Sequence, residues 1–212
     1  MAENGELYEA ILVGNAKKAE EITKAALEAK ADPSELVQKQ MIPAMDEVGR
    51  RFECNEYFVP ELLIAARAMK TALELITPHL AASGAKPTGR VVIGTVQGDL
   101  HDIGKNLVAS MLEGGGFEVI DLGVDVPAER FVEAAQEDDD TIIALSALLT
   151  TTMTMMKKVI DALEQAGLRD KTKIIIGGAP ITQAFADEIG ADGYSDNASA
   201  AVGLARKLVG AK

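Results

Sequence analysis

Two histidines occur in the 212 residues, and one of them stands where it could do chemistry. The run Gln97-Gly98-Asp99-Leu100-His101-Asp102-Ile103-Gly104-Lys105-Asn106 places His101 two residues after Asp99. A neutral imidazole can ligate a transition metal through one ring nitrogen while the other donates its N–H to a carboxylate, which fixes the tautomer and raises the basicity of the ligand. Asp99 is near enough to be that carboxylate if the loop curls back. One histidine without a cysteine cluster is too few ligands for a bare ion, so a metal here must arrive already chelated in a macrocycle, with an axial position left for His101. The bland alternative is a polar loop with a hydrogen-bonded histidine and with Asp102 as N-cap of the next helix. Phosphate cradling is excluded: a P-loop needs Gly where Asp99 stands and Ser or Thr where Asn106 stands, and no G-x-G-x-x-G is present.

Two further stretches carry candidate groups. Residues 144–152 read Ala-Leu-Ser-Ala-Leu-Leu-Thr-Thr-Thr, where Ser146, Thr150 and Thr152 offer hydroxyls to a narrow pocket. In Ile176-Gly177-Gly178-Ala179-Pro180, the adjacent glycines either admit a ligand against bare backbone or form a tight strand-to-helix turn.

These loops need a frame. Short β-branched runs at 91–96, 117–121, 141–145 and 173–176 alternate with amphipathic stretches near 103–113, 126–136, 152–166, 181–189 and 197–209. With a short last strand near Tyr194, the pattern predicts a doubly wound α/β domain: five parallel strands in the flavodoxin-like order 2-1-3-4-5, covered on both faces. Ligands bind such sheets beyond the carboxyl ends of the strands, so the loops after residues 96, 121, 145, 176 and 195 are the places to inspect.

The first 84 residues have a different texture. Val37, Met41, Met45, Val48 and Phe52 recur at helical spacing, as do Leu62, Ala66, Met69, Leu73, Ile76 and Leu80, so residues 1–84 are expected to form a helical bundle. Asp32-Pro33 and Asn55 to Pro60 punctuate it, while Pro43 and Pro78 predict kinks or early helix ends. The small, polar stretch 81–89 reads as a linker, centred on 85–90, and residues 91–212 form the second domain.

Composition excludes several functions. With 21 Lys plus Arg against 33 Asp plus Glu, the net charge is −12 and no basic stripe serves nucleic acid. The acidic run Glu137-Asp138-Asp139-Asp140 reads as a solvated helix end. No apolar run is long enough for a membrane helix, and the N-terminus lacks the pattern of a signal peptide. One cysteine, Cys54, agrees with a reducing compartment, so the expected location is cytoplasmic. The core must be aliphatic, since Trp is absent and Met occurs eight times.

Asp99-x-His101-x-x-Gly104, then Ser146-x-Leu148 with Thr150 and Thr152, then Gly177-Gly178, resembles the cobalamin-binding region of methionine synthase. The whole chain is similar to the small corrinoid proteins of methyltransferase systems. The resemblance implies cobalamin, as methylcobalamin or a related corrinoid, with His101 as lower axial ligand to cobalt. It implies that Asp99 accepts a hydrogen bond from the far ring nitrogen and that Thr152, where methionine synthase has Ser, extends the relay. Gly98, Asp102 and Ile103 would flank the cofactor, and Gly104 would leave space for its displaced nucleotide tail. Ser146, Leu148 and Thr150 would line the slot for that tail, and Gly177 and Gly178 would pack along it. The helical half would act as a cap that shelters a cobalt-bound methyl group, with Tyr57 to Leu63 as the contact segment and the linker as hinge.

The implied function is methyl transport. A substrate-specific methyltransferase would deliver a methyl group from a methylated amine, betaine, methanol or methoxylated aromatic. A second methyltransferase would pass it to tetrahydrofolate or a thiol such as coenzyme M, and an activating protein would rescue oxidised cobalt. The alternatives are a radical mutase subunit, which lacks such a bundle, and a cobalamin-responsive regulator, which needs a DNA-binding element not evident here. A cofactor-free signalling domain of similar topology would leave the three matching loops as coincidence.

Overall fold

The computed structural model describes residues 5–83, 87–138 and 140–210. Two compact units emerge, Met1–Pro87 with Glu113–Gly116, and Thr88–Leu112 with Phe117–Lys212.

The first unit is helical: α1 (Glu6–Leu12), α2 (Ala16–Glu28), α3 (Pro33–Leu36), a π-helical turn (Val37–Met41), α4 (Ile42–Glu53) and α5 (Val59–Ser83). Asn15 caps α2 by accepting the Lys18 N–H at 3.0 Å, and Asp32 caps α3 with Pro33 in its first turn. Both motifs satisfy N–H groups that a helix start leaves without partners. The apolar stripes face inward, with Met41, Met45, Val48, Leu62, Met69 and Ile76 buried. Each such side chain contributes roughly 1.5–3 kcal/mol by leaving water.

Kinks or early ends are expected at the two prolines, and neither proline ends its helix. Before Pro43 the Ile42 N–H reaches back to the Val37 carbonyl, so the helix widens into a π turn and continues. At Pro78 helix α5 runs on to Ser83. Pro78 and Glu74, whose carbonyl loses its helical donor there, are both exposed, so water can replace the missing bond. The first three residues of the 81–89 stretch are therefore helical, and residues 84–86 lie outside the described residues.

The second unit alternates strictly: β1 (Arg90–Thr95), α6 (Ile103–Gly114), β2 (Glu118–Asp121), α7 (Ala128–Ala135), β3 (Ile142–Ser146), α8 (Met155–Gln165), β4 (Lys173–Gly177), α9 (Gln183–Ile189), β5 (Gly193–Tyr194) and α10 (Ala198–Leu208). The sheet is parallel throughout with order β2-β1-β3-β4-β5, as the pattern predicts. Val92, Ile143, Ile174 and Ile176 pack on one face with Phe131, Ile160 and Leu163 from the helices. Val91, Ile93, Ile142 and Ile175 are buried as well, on the alternate side, so both faces are covered. Thr95 pairs with Ser146, and Ser146 with Gly177, so the last residues of the three central strands form one rung. The loops that follow start at a common level.

Candidate functional site

Beyond the end of β1 the chain turns sharply. The Asp99 N–H bonds the Val96 carbonyl at 3.1 Å, with Gly98 at a φ of +85° that a side chain would strain. The turn buries the Asp99 side chain completely. Its Oδ1 accepts the His101 ring Nδ1–H at 2.7 Å and the His101 backbone N–H at 3.1 Å, so the loop does curl back. Its Oδ2 accepts the Thr152 hydroxyl at 2.6 Å and the N–H groups of Leu148 and Leu149 at 2.8 and 3.3 Å. One carboxylate thus joins the loops after β1 and β3.

Burial pushes the Asp99 carboxyl upward, but the hydrogen bonds from Thr152, Leu148 and His101 outweigh it and hold the group well below the usual carboxylate range. An ionised Asp99 only accepts, so Nδ1 carries the proton, and in the neutral ring Nε2 keeps its lone pair for a metal. The His101 side chain is 51% exposed against 0% for Asp99, so the ring remains accessible while its orienting group does not. Thr95, buried at the end of β1, donates its hydroxyl to the His101 carbonyl at 2.9 Å and fixes the backbone under the ring.

The Asp102 carbonyl accepts the Asn106 N–H at 2.7 Å and so opens α6. Its carboxylate takes the Asn106 side-chain amide at 3.1 Å, a different bond from the backbone cap expected of it. Ile103 is 84% exposed, and a Cβ at Gly104 would meet nothing within 4 Å, so this flank is open. Lys105 turns inward; its buried amine bonds Asp121 and the Asn106 side-chain oxygen.

After β3, the helix expected from residue 152 begins only at Met155. Residues 149–154 form turns instead, with the Thr152 and Met153 N–H groups sharing the Leu149 carbonyl. The Thr152 hydroxyl is spent on Asp99, which is how such side chains compete with helix formation. Ser146 closes the strand and is half-buried; Leu148 and Leu149 give their backbones to Asp99 and expose their side chains; Thr150 stays on the surface of the turn. Gly178, at a φ of +132°, brings the loop after β4 so near that a Cβ would lie 1.9 Å from the Ala147 carbonyl oxygen. A Cβ on Gly177 would sit 3.3 Å from the Ser195 carbonyl oxygen. The glycine pair therefore packs the loops after β3, β4 and β5 together.

The sequence reading missed Thr95, Lys105 and Asp125. Thr95 carried a signal, a polar residue closing a buried strand. Asp125 lies in the loop after β2; its carboxylate accepts the Gly98 N–H at 2.7 Å and its N–H bonds the Asp99 carbonyl at 2.9 Å. In the cap segment, Phe58, Val59 and Leu63 are exposed, but Leu62 is wholly buried and belongs to the core of the helical unit.

The donor set suits a prechelated metal. Among the described residues no cluster of three His, Cys, Asp or Glu could hold a free ion. A single oriented imidazole stands in a stretch whose neighbours Leu100 and Ile103 are 70% and 84% exposed, and Leu148 and Leu149 expose more apolar surface beside Asp99. Exposed apolar side chains around one ligand match a broad macrocycle.

Comparison with known proteins agrees. A family described as B12 binding domain matches residues 89–203, and a second of the same description matches residues 4–77. Dimethylamine corrinoid protein 3 of Methanosarcina acetivorans is 44% identical over 194 residues, 91% of each chain. Trimethylamine corrinoid protein 1 of the same organism is 46% identical over 193 residues, 90% of this chain and 89% of that one. In the crystal structure of the methanol:cobalamin methyltransferase complex MtaBC from Methanosarcina barkeri, one chain superposes with a TM-score of 0.85 at 32% identity, covering 98% of this chain and 79% of that one.

Proposed function

The chain belongs to the B12-binding corrinoid proteins of methyltransferase systems, its cofactor is cobalamin, and on that premise we propose how its residues serve as a methyl carrier and for which donor. The chemistry supplied by the bound corrin is acceptance and donation of a methyl group at cobalt. This chain's residues do the rest. His101 would hold the cobalt through Nε2, and Asp99 holds the ring by its Nδ1–H at 2.7 Å, the observation that carries the reading. The Thr152 hydroxyl and the Leu148 and Leu149 N–H groups keep Asp99 ionised, and Asp99 in turn keeps the proton on His101 Nδ1 and so leaves the lone pair on Nε2.

Gly98, Asp102 and Ile103 would border the corrin, and the flank at Gly104, where a Cβ would meet nothing within 4 Å, would leave room for the nucleotide tail. Ser146, Leu148 and Thr150 line its slot, with Gly177 and Gly178 alongside. Within the helical unit, Phe58, Val59, Leu63 and Ile64 are exposed apolar side chains.

A methylated amine is the favoured donor. Two relatives named for such amines are 44% and 46% identical, and among the solved structures a monomethylamine corrinoid protein is 37% identical against 32% for the methanol system. A substrate-specific methyltransferase delivers the group, a second one passes it to tetrahydrofolate or a thiol such as coenzyme M, and an activating protein restores reduced cobalt. The reading is tested by incubating the apoprotein with hydroxocobalamin. One equivalent binds, with the spectrum of a cobalamin whose benzimidazole has left the metal, and His101→Ala changes that spectrum more than it changes the melting temperature. Absence of uptake overturns the carrier; an unchanged spectrum in the variant removes His101 from the ligand role.

A further inference from the structure

The loop after β2 is stitched to the one that bears His101. Leu122 N–H bonds the Ile93 carbonyl, Thr95 N–H the Gly123 carbonyl and Val126 N–H the Thr95 carbonyl, at 2.8, 3.0 and 3.0 Å. Beyond this continuation of the sheet, Asp125 makes a two-sided clasp. Its Oδ1 accepts the Gly98 N–H at 2.7 Å and its own N–H donates to the Asp99 carbonyl at 2.9 Å. The backbone of Asp125 lies at a φ of +53°, a region L residues avoid and Asp or Asn tolerate best. The start of the same loop is anchored too. Asp121 accepts the Gly123 N–H at 2.8 Å with one oxygen and pairs through the other with the buried amine of Lys105. The stretch from Asp99 to Lys105, with His101 inside it, is thereby tied at both ends to one neighbouring loop.

We propose that Asp125 is a positioning residue for His101: its carboxylate holds the Gln97–Gly98 peptide by the Gly98 N–H, its own N–H holds the Asp99–Leu100 peptide by the Asp99 carbonyl, and the two together set the Asp99 side chain that orients the imidazole. The proposal rests on the carrier reading for its purpose but not for its geometry. An exposed carboxylate in a strained conformation is dispensable for the fold, because glycine would supply that φ freely. It is not dispensable for an acceptor aimed at one backbone N–H.

The test compares Asp125→Asn, Asp125→Gly and Asp125→Ala in the full chain. In the apoprotein, the exchange rate of the Gly98 amide and the nuclear magnetic resonance signal of the His101 Nδ1–H report the clasp without cofactor. After loading with hydroxocobalamin, the visible spectrum reports the fraction in which His101 is coordinated. Asp125→Gly is expected to melt close to the wild type yet to speed Gly98 exchange and reduce the ordered and coordinated His101 populations by roughly three- to tenfold, the shift of one net hydrogen bond. Asp125→Asn, which keeps an acceptor oxygen, recovers most of that loss, and Asp125→Ala does not. Wild-type exchange and imidazole signals in Asp125→Gly, or an equal loss in Asp125→Asn, overturn the proposal. If the wild type takes up no cobalamin, the carrier reading fails while the apoprotein signals still decide the role of Asp125.

Discussion

The Thr152 hydroxyl lies 2.6 Å from the Asp99 carboxylate, across a separation of 53 positions in the chain. A carboxylate that also holds the His101 ring is therefore shared between two loops, and the ring's orientation depends on a turn on the neighbouring strand. The hydroxyl has one proton and two acceptors nearby, with the Leu149 carbonyl at 3.0 Å. The nearer, charged acceptor takes it.

Removal of that hydroxyl without loss of shape is the direct test. Thr152→Val should destabilise the α/β unit by about 1–3 kcal/mol, because a buried charge loses a donor. The imidazole N–H signal of His101 should broaden along with it. Thr152→Ser should retain both the midpoint of urea unfolding and the signal; loss in Thr152→Ser with retention in Thr152→Val would mean that packing of the methyl group, and not the hydrogen bond, holds the turn.

Asp99 gives a pH dependence with a definite sign. Its carboxyl is held below the ordinary value in the folded protein, so its contribution to stability is complete above the unfolded value of about 3.9 and fades as pH falls below that toward the folded one. Asp99→Asn turns an amide donor toward the donors of Leu148, Leu149 and Thr152 and should cost about 2–4 kcal/mol at neutral pH. Urea midpoints should show a constant gap between wild type and variant from pH 7 to 5 that narrows below pH about 4. A gap that widens with acid contradicts the assignment.

The helical unit contains a second depressed carboxylate. Hydrogen bonds from Arg50 and Arg51 lower Glu47 to about 2, against the opposing effect of burial. Its stabilising contribution is present above the unfolded glutamate value of about 4.3 and disappears as pH drops through about 2. Arg51 also donates to the Tyr57 hydroxyl at 3.0 Å, and that hydroxyl donates to the Leu12 carbonyl at 3.2 Å, so Glu47 braces the turn before α5. A carbon-13 titration of the Glu47 carboxyl should show the depressed midpoint, and Arg51→Lys, which keeps charge but loses the fork, should raise it.

Gly178 allows no side chain. With φ at +132° and the Ala147 oxygen 1.9 Å from a Cβ, Gly178→Ala should cost about 2 kcal/mol or more and loosen the loop that supplies Leu148 to Asp99. Calorimetry and cobalamin uptake should fall together. Unimpaired uptake with a lowered melting temperature would separate the packing of these loops from the site.

The sheet order and the His101 to Asp99 pairing were legible because each rests on local information, whereas the Thr152 contact, 53 positions from Asp99, was implied only by the family resemblance. Alternating strand and helix periods dictate parallel pairing, and a two-residue spacing puts a carboxylate within reach of its ring. The Asp125 clasp was not, since it spans 27 positions and depends on β2 lying beside β1 at one register, which no spacing encodes. Leu62 carried two expectations, as a member of the apolar stripe and as part of the contact segment 57–63; its burial agrees with the helical spacing of the stripe, while Leu63 is 49% exposed. The run through Pro78 depended on the solvent exposure of one carbonyl, a property of the folded helix.

The shared rung of Thr95, Ser146 and Gly177 makes the hydrogen bonds of Asp99 a reporter of strand pairing. If β3 slipped by a single residue against β1, its side chains would exchange faces. The Leu148 amide and the Thr152 hydroxyl would then miss the Asp99 carboxylate, and its charge would be stranded without donors. A chain folded in the wrong register would be marked twice, by an uncompensated buried anion and by an imidazole free to rotate, so failure to take up cobalamin would report the misfolded molecules directly.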